Sequence, residues 1–515
     1  MAPNLTMRSA RQSFLFYLIA FIVSFSLMAL EIVAGRLIAP YLGVSIYTWT
    51  SVIGIVLAGI AAGNFFGGWI ADTWHPQQVL VWTLAAAGGS SIVSLFLLSG
   101  LGTFLNRHAV SLIAASLGLA GAAFFLPSFF LGMVTPLLIK LALHTLEETG
   151  RIAGWIYGTG AVGSVAGVFV TGFFLITYVG TRQIVVSVSV LLVLLSGAIF
   201  VWRRARPPLL LLFVVGAVGI ASFFAPAVPC EKESQYYCIQ FIPAGDGVSV
   251  MLRLDHFTHN HIYLDDPKHL GDSYQQVFGL LSSYASRKYD PRRTMLIVGG
   301  GGYILPRFLQ KYAPDISLNT VEIDPEVTRA VEGLVGTFTF PVVNTDGRVY
   351  VERLSDRTRY DVVFVDVFQD VSVPYHLVTK EFMETVLRHL TDRGIYAVNV
   401  VDRPDGDFLA SEVKTMQEVF PQVRVFTQAP QAGETMINKT HIVLGTRDAF
   451  DEALWNAVKA QLPPGDRDIA WSPSRETVAT YLRQGRILTD DYVPVEHMLA
   501  SVSRDMQRET SVLNQ

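Results

Sequence analysis

The sequence predicts two unlike parts: an N-terminal all-α transmembrane bundle of about seven spans, then a small antiparallel β-domain leading into an α/β Rossmann-like domain. Three observations predict it. Charged side chains fill 12 of the 212 positions in residues 14–225, about 6%, but 68 of the 290 positions in residues 226–515, about 23%; a soluble protein averages roughly 25%. Apolar stretches long enough to cross about 30 Å of hydrocarbon recur through the first part. From residue 294 short apolar runs alternate with helix-like segments, the grammar of βαβ units and a mostly parallel sheet. The expected boundaries are a tail at 1–13, a transmembrane domain at 14–225, a linker and β-hairpin domain at 226–290 and the Rossmann-like domain at 291–515.

The spans are read at 14–39, 48–71, 79–101, 108–143, 152–179, 183–202 and 208–225, which makes seven, or eight if the fourth is a hairpin. That fourth stretch contains Pro127 and Pro136 and is predicted to be kinked or broken. Lys and Arg concentrate on cytoplasmic flanks. A cytoplasmic N-terminus puts Arg8, Arg11, Lys140, Arg151, Arg203, Arg204 and Arg206 inside and leaves Arg107, Arg182 and Arg36 outside. Gly59, Gly63 and Gly67 recur every four residues, as do Gly154 with Gly158 and Gly163 with Gly167, a spacing that lets helix backbones approach closely. Glu31 is an ionisable group within a span and so a candidate for a functional role. Gly67-Gly68-Trp69-Ile70-Ala71-Asp72 resembles the loop between spans 2 and 3 of major facilitator transporters, which places Asp72 in the cytoplasm.

The overall charge of −4 conceals about −10 on residues 226–515, which argues against a nucleic-acid-binding surface. Two cysteines, Cys230 and Cys238, make no disulfide framework and no metal cluster. No cleavable signal peptide is expected, because apolar segments continue long after the first.

Residues 231–264 alternate polar and apolar around a turn at 244–247 and read as a small antiparallel sheet. Strands follow at 295–299, 318–323, 341–345, 361–367, 394–401, 422–428 and 440–445. In such a sheet ligands bind at the carboxyl ends of the strands, where the informative residues fall. Gly299-Gly300-Gly301-Gly302 follows the first strand and precedes a helix with Pro306 in its first turn. By itself it either lets a ligand lie against the backbone and the helix N-terminus or is simply a tight strand-to-helix turn. Glu322 ends the second strand, 23 residues beyond Gly299, the place for a carboxylate that accepts hydrogen bonds from a ribose diol. Ile304 replaces the third glycine of a dinucleotide fingerprint, which disfavours NAD. Asp346-Gly347 ends the third strand and suits an adenine amino donor. Asp366, with Asp370 four residues later, forms an acidic mouth for a cationic amine.

With these motifs in place the chain resembles the polyamine aminopropyltransferases, or spermidine synthases, and in particular their membrane-anchored, spermidine synthase-like branch. The resemblance covers residues 231 to about 445. It is carried by Val298–Gly302, Val321–Pro325, Asp346-Gly347, Asp366 and Val373–Phe382, and Leu488–Glu496 echoes an ending of that branch. It implies the methyltransferase/spermidine-synthase form of the Rossmann-like fold, with Gly299, Gly300, Gly301 and Gly302 at the nucleoside, Glu322 on the ribose, Asp346 near adenine and Asp366 at the reacting amine. Tyr274 and Gln275 resemble the family's pocket-lining pair. Three departures stand out: Gly302 replaces an Asp that grips the primary amine of decarboxylated S-adenosylmethionine, the acidic loop around Asp370 is one residue longer and lacks a proline, and Gln276 replaces a Glu. The co-substrate is therefore decarboxylated S-adenosylmethionine or S-adenosylmethionine itself, with no metal.

The expected activity is aminopropyl transfer to a polyamine-type amine, with Asp366, Asp370 and Tyr274 as catalytic candidates. Methyl transfer from S-adenosylmethionine is the alternative that Gly302 favours, and a transporter-like protein with a nucleoside- or polyamine-sensing domain is the third. The expected partners are a small-molecule amine and the lipid bilayer, with no nucleic acid and a homodimer left open. Substrate supply puts the soluble domain in the cytoplasm. Span parity leaves the side open, and a Cys230–Cys238 disulfide belongs to the extracytoplasmic arrangement.

Overall fold

The computed structural model describes residues 3–107, 110–143, 145–202, 217, 220, 221, 223–226, 230–271, 273–288, 293–368, 373–427, 439–461, 475–499 and 502. The chain divides into two compact units, residues 1–235 and 236–515.

In the first unit, helices α1 (Pro3–Leu42), α2 (Ile46–Thr73), α3 (Pro76–Arg107), α4 (Leu112–Ala142), α5 (Thr149–Val170) and α6 (Thr181–Trp202) follow one another. A π-turn at Thr171–Leu175 carries α5 on to Tyr178. Six segments among the described residues are long and apolar enough to cross a membrane; the seventh expected, 208–225, lies largely outside the described residues. The fourth is one continuous helix with Pro127 and Pro136 inside it, not a broken one.

Small residues bring α2 against α4. A Cβ on Gly59 would lie 2.8 Å from the Ser128 Cβ, one on Gly67 2.7 Å from the Met133 Cα, and one on Gly132 2.7 Å from the Ile60 carbonyl oxygen. Backbones this close gain dispersion contacts that larger side chains would prevent. Gly163 and Gly167 likewise meet Phe21 and Phe25 of α1, whereas Gly154 and Gly158 face open space, so only one of those two glycine pairs packs helices. Gly67 to Asp72 continue α2 to its last turns rather than forming a loop. Asp72 pairs with Lys140 at 2.7 Å, which puts the ends of α2 and α4 together.

The second unit opens with an antiparallel meander, β1 (Cys238–Pro243), β2 (Ser249–Leu254) and β3 (Phe257–Tyr263). Asp246 closes the first turn by accepting hydrogen bonds from the Val248 and Ser249 backbone N–H groups. The seven expected strands all form: β4 (Arg293–Val298), β5 (Ile316–Glu322), β6 (Val342–Asn344), β7 (Tyr360–Val365), β8 (Leu390–Asp402), β9 (Gln422–Thr427) and β10 (Lys439–Thr446). They build one sheet in the order β9-β10-β8-β7-β4-β5-β6, with β10 antiparallel to both neighbours. The strand order reverses between β4 and β7, and the carboxyl ends at such a switch point are where these folds bind ligands. Helices α7 (Ser273–Lys288), α8 (Ile304–Tyr312), α9 (Pro325–Val335), α10 (Gly347–Glu352), α11 (Lys380–Arg388) and α12 (Asp407–Val419) connect or cover the strands.

The core contains one costly group. Glu412 of α12 is fully buried, and neither carboxylate oxygen has a hydrogen-bond partner among the described residues. Burial pushes its carboxyl up to about 8 from 4.5. A carboxyl raised on folding gives its full contribution to stability below the unfolded value and loses it as pH rises through the folded one. Stability should therefore fall between about pH 5 and pH 8. In thermal unfolding of the detergent-solubilised chain, Glu412→Gln should flatten that slope; an unchanged slope would refute the assignment.

Candidate functional site

Four strand ends meet at a cavity of about 240 Å³. The loop after β4 comes against the end of β7: Gly299 has φ +99°, and a Cβ on it would overlap the Asp366 carbonyl oxygen. The Gly299 N–H donates to the Val321 carbonyl and the Asp366 N–H to the Val298 carbonyl, each at 2.8 Å. Gly299 is thus required by two strand ends meeting, whatever ligand the loop also admits.

Glu322, at the end of β5, ties the same loop. Its Oε2 accepts from Gly300 N at 2.8 Å and Gly301 N at 3.2 Å, and its Oε1 accepts from Asp324 N at 3.0 Å. Burial raises its carboxyl above the usual range while these bonds oppose the shift. An ionised carboxylate has about four acceptor sites. Three are taken by the backbone, so a ribose hydroxyl is accommodated best at Oε1.

Asp346 caps α10, its Oδ1 accepting from Val349 N at 3.0 Å, and its Oδ2 lies 2.8 Å from His376 Nε2. The His376 ring holds the Asp346 carboxyl below the usual carboxylate range. Asp366 is clamped by two amides: Asn399 Nδ2 donates to Oδ1 at 2.8 Å and Gln275 Nε2 to Oδ2 at 3.3 Å. A carboxylate only accepts, so each amide must turn its nitrogen toward it. Hydrogen bonds to the charged form favour that form.

Of the residues singled out in the sequence, Gly299, Gly301, Glu322, Asp346, Gly347, Asp366 and Tyr274 line the cavity. Gly300 and Gly302 serve it through their N–H groups. Gln275, expected at the nucleoside, instead spends its amide nitrogen on Asp366 and is absent from the cavity wall. Asp370 lies outside the described residues.

Other wall residues went unassigned in the sequence. Asn260 on β3 accepts from Gly302 N at 2.9 Å and donates to the Tyr274 hydroxyl at 2.6 Å. A Cβ on Gly302 would lie 3.1 Å from the Asn260 Cβ and 2.9 Å from Ile262 Cγ1. His259, whose ring burial pushes down to about 4, along with Tyr236, Tyr237 and His376, completes the polar lining. The signal for Asn260 was its two-residue period with Ile262: both sit on the inward face of the meander, where an uncompensated polar residue calls for a partner. No group of His, Cys, Asp and Glu able to hold a metal ion occurs among the described residues.

Residues 278–442 match the model of the spermine/spermidine synthase domain. A probable polyamine aminopropyl transferase of Bifidobacterium longum is 29% identical over 232 residues, covering 40% of this chain and 49% of that protein. A polyamine aminopropyltransferase of Vibrio vulnificus is 29% identical over 208 residues, 39% of this chain and 68% of that one. The polyamine aminopropyltransferase of Oceanobacillus iheyensis aligns over 516 residues at 23% identity, 95% of this chain and 92% of that protein. This chain therefore spans about half the length of the first relative and about two thirds of the second. Residues 278–442 of this chain are therefore similar to the spermine/spermidine synthase domain and to the aminopropyltransferases that align with it.

Proposed function

We propose that the second unit transfers an aminopropyl group from decarboxylated S-adenosylmethionine to a small polyamine-type amine. The observation that carries this reading is the placement of the clamped Asp366 carboxylate in the same cavity as the Glu322 and Asp346 carboxylates. Glu322 and Asp346 offer acceptors to a ribose and to an adenine amino group, and the loop from Gly299 to Gly301 bends round the nucleoside. Asp366 is then the anion left for the amine. An alkyl amine has a pKa near 10.4, like that of lysine, so it arrives as an ammonium. Asp366 binds it, receives its proton, and leaves the nitrogen lone pair directed at the methylene next to sulfur. A carbon–nitrogen bond forms as the carbon–sulfur bond breaks, and its electron pair stays on sulfur as a neutral thioether. No acid is needed for that leaving group. Alignment of the three atoms supplies the rest of the acceleration. The three relatives described above are named as aminopropyltransferases, which supports this reaction class.

We further propose that the first unit spans a membrane seven times and that the second lies on the extracytoplasmic face, opposite to the expectation from substrate supply. Arg36, near the end of α1, donates to the Ser234 carbonyl at 2.7 Å; Thr181 N, at the start of α6, donates to Glu233 at 2.9 Å; Arg182 donates to the Ala225 carbonyl at 2.9 Å. Ala225, Glu233 and Ser234 are thus at the end of the bundle where α6 begins, and Trp202 is at the other end, about 30 Å away by helical rise. The Asp72–Lys140 pair marks the far end, on the side of the N-terminus. With the excess of Lys and Arg there held inside, residue 235 emerges outside. The bonded state of Cys230 and Cys238 suits an oxidising compartment.

Purified protein given decarboxylated S-adenosylmethionine and diamine acceptors should form methylthioadenosine with a matching polyamine; S-adenosylhomocysteine, made from S-adenosylmethionine, would establish methyl transfer instead. Asp366→Ala should cut turnover by at least about 100-fold while nucleoside affinity stays measurable, and near-normal turnover would remove Asp366 from the reaction. In intact cells or oriented vesicles, a membrane-impermeant maleimide should label a cysteine placed at exposed Asp315 from outside. Labelling only after permeabilisation would put the second unit in the cytoplasm.

A further inference from the structure

The segment 488–496 stands out in the sequence, yet none of its residues lines the cavity. It is nonetheless anchored at several points. Leu488 is fully buried, its N–H donates to Thr415 Oγ1 at 2.8 Å, and its carbonyl accepts from Lys380 N at 2.9 Å. Thr489 and Tyr492 close a turn by exchanging backbone hydrogen bonds. That turn presents Asp490, which accepts from Thr379 Oγ1 at 2.7 Å while its own N–H donates to Glu381 Oε2 at 3.0 Å.

Asp490 then grips Arg348 in a two-pronged pair: the two terminal nitrogens of the guanidinium donate to Oδ1 at 2.7 Å and to Oδ2 at 2.6 Å. The same guanidinium donates to the His376 carbonyl at 3.2 Å, and its Nε donates to Glu352 Oε1 at 2.9 Å. His376 Nε2 meets Asp346 Oδ2 in the cavity wall. A continuous chain of bonds therefore runs from Asp490 through Arg348 and His376 to Asp346. We propose that Asp490 and Arg348 are positioning residues for Asp346, and that the segment 488–493 is a strap by which the C-terminal region sets which nucleobase the site accepts.

The inference rests on the reading of Asp346 as the acceptor for an adenine amino group. With Oδ1 held by the helix cap and Oδ2 by the imidazole, the carboxylate presents acceptor lone pairs in one fixed direction. That rewards a base with an amino donor and repels one with a carbonyl at the same place. Fork-to-fork pairing fixes a guanidinium in plane and in direction. Without the Asp490–Arg348 pair the His376 carbonyl loses its fixed donor, and the imidazole that holds Asp346 Oδ2 is no longer kept in one direction.

Equilibrium binding of adenosine and inosine to the full-length protein in detergent tests this. The unaltered chain should prefer adenosine, and Asp490→Ala should lower the adenosine-to-inosine affinity ratio by roughly 10-fold, the scale of a charge-assisted hydrogen bond. Arg348→Ala should lower it equally, and the double variant no further. A general loss of packing would weaken both nucleosides alike and leave the ratio unchanged, which would overturn the proposal, as would additive losses. If the alanine variants do not fold, Asp490→Asn and Arg348→Lys keep the shape and remove the two-pronged charge, and the same ratio decides. No preference for adenosine in the unaltered chain would overturn the nucleoside reading itself, an outcome distinct from a preference that survives the loss of Asp490.

Discussion

The site depends on the buried carboxylate of Glu322. It sits where β5 ends, and its oxygens accept three backbone N–H groups: two from the loop after β4 and one from the turn that begins α9. Backbone donors at a strand end have no sheet partner and must be satisfied by something. A glutamate of ordinary chemistry does this for two neighbouring strand ends at once. Its burial disfavours the charge and the three bonds offset that only in part, a balance that a ligand hydroxyl would tip toward the ionised form. On the proposed reading, structural support of the loop and recognition of a ribose fall to this one side chain.

Strand grammar was legible because buried parallel strands are continuous apolar runs, so all seven strands of the sheet were marked by runs such as Val362 to Val365. The carboxylates at the strand ends were legible because charge at the end of such a run has few other uses. The clamp on Asp366 was not: Gln275 comes from α7 and Asn399 from β8, and no spacing links residues 124 apart in the chain. Pairing Tyr274 with Gln275 as neighbours in one wall also misled. Successive residues on a helix point about 100° apart, and the two side chains go to different partners, the Tyr274 hydroxyl to Asn260 and the Gln275 amide to Asp366.

In the bundle, the glycine spacing was informative only in part. Gly59, Gly63 and Gly67 meet a neighbouring helix and Gly154 and Gly158 do not, since the spacing records a face on which approach is allowed, and the partner's surface decides whether it occurs. The Pro127 and Pro136 pair argued for a kinked or broken helix, and α4 passes through both without a break. A proline removes one hydrogen bond and crowds the preceding turn; close packing on α2 through Gly132 and the three glycines supplies contacts that offset that loss.

On the proposed aminopropyl-transfer reading, the position of Gly302 bears on which form of the co-substrate the site would take. A side chain at 302 would run into Asn260 and Ile262, so the loop carries no carboxylate there, and the place beside it is filled by a neutral amide. The Asn260 oxygen is committed to Gly302 N and its nitrogen to the Tyr274 hydroxyl. A carboxylate at that point would attract the ammonium of decarboxylated S-adenosylmethionine and repel the carboxylate of the parent compound. An amide does neither with comparable strength, because dipoles interact more weakly than charges. Discrimination between the two forms therefore falls to the remaining charges of the cavity. Of these, Asp366 is fixed in place by its two amides and favours a cation, whether that cation belongs to the acceptor or to the tail of the co-substrate.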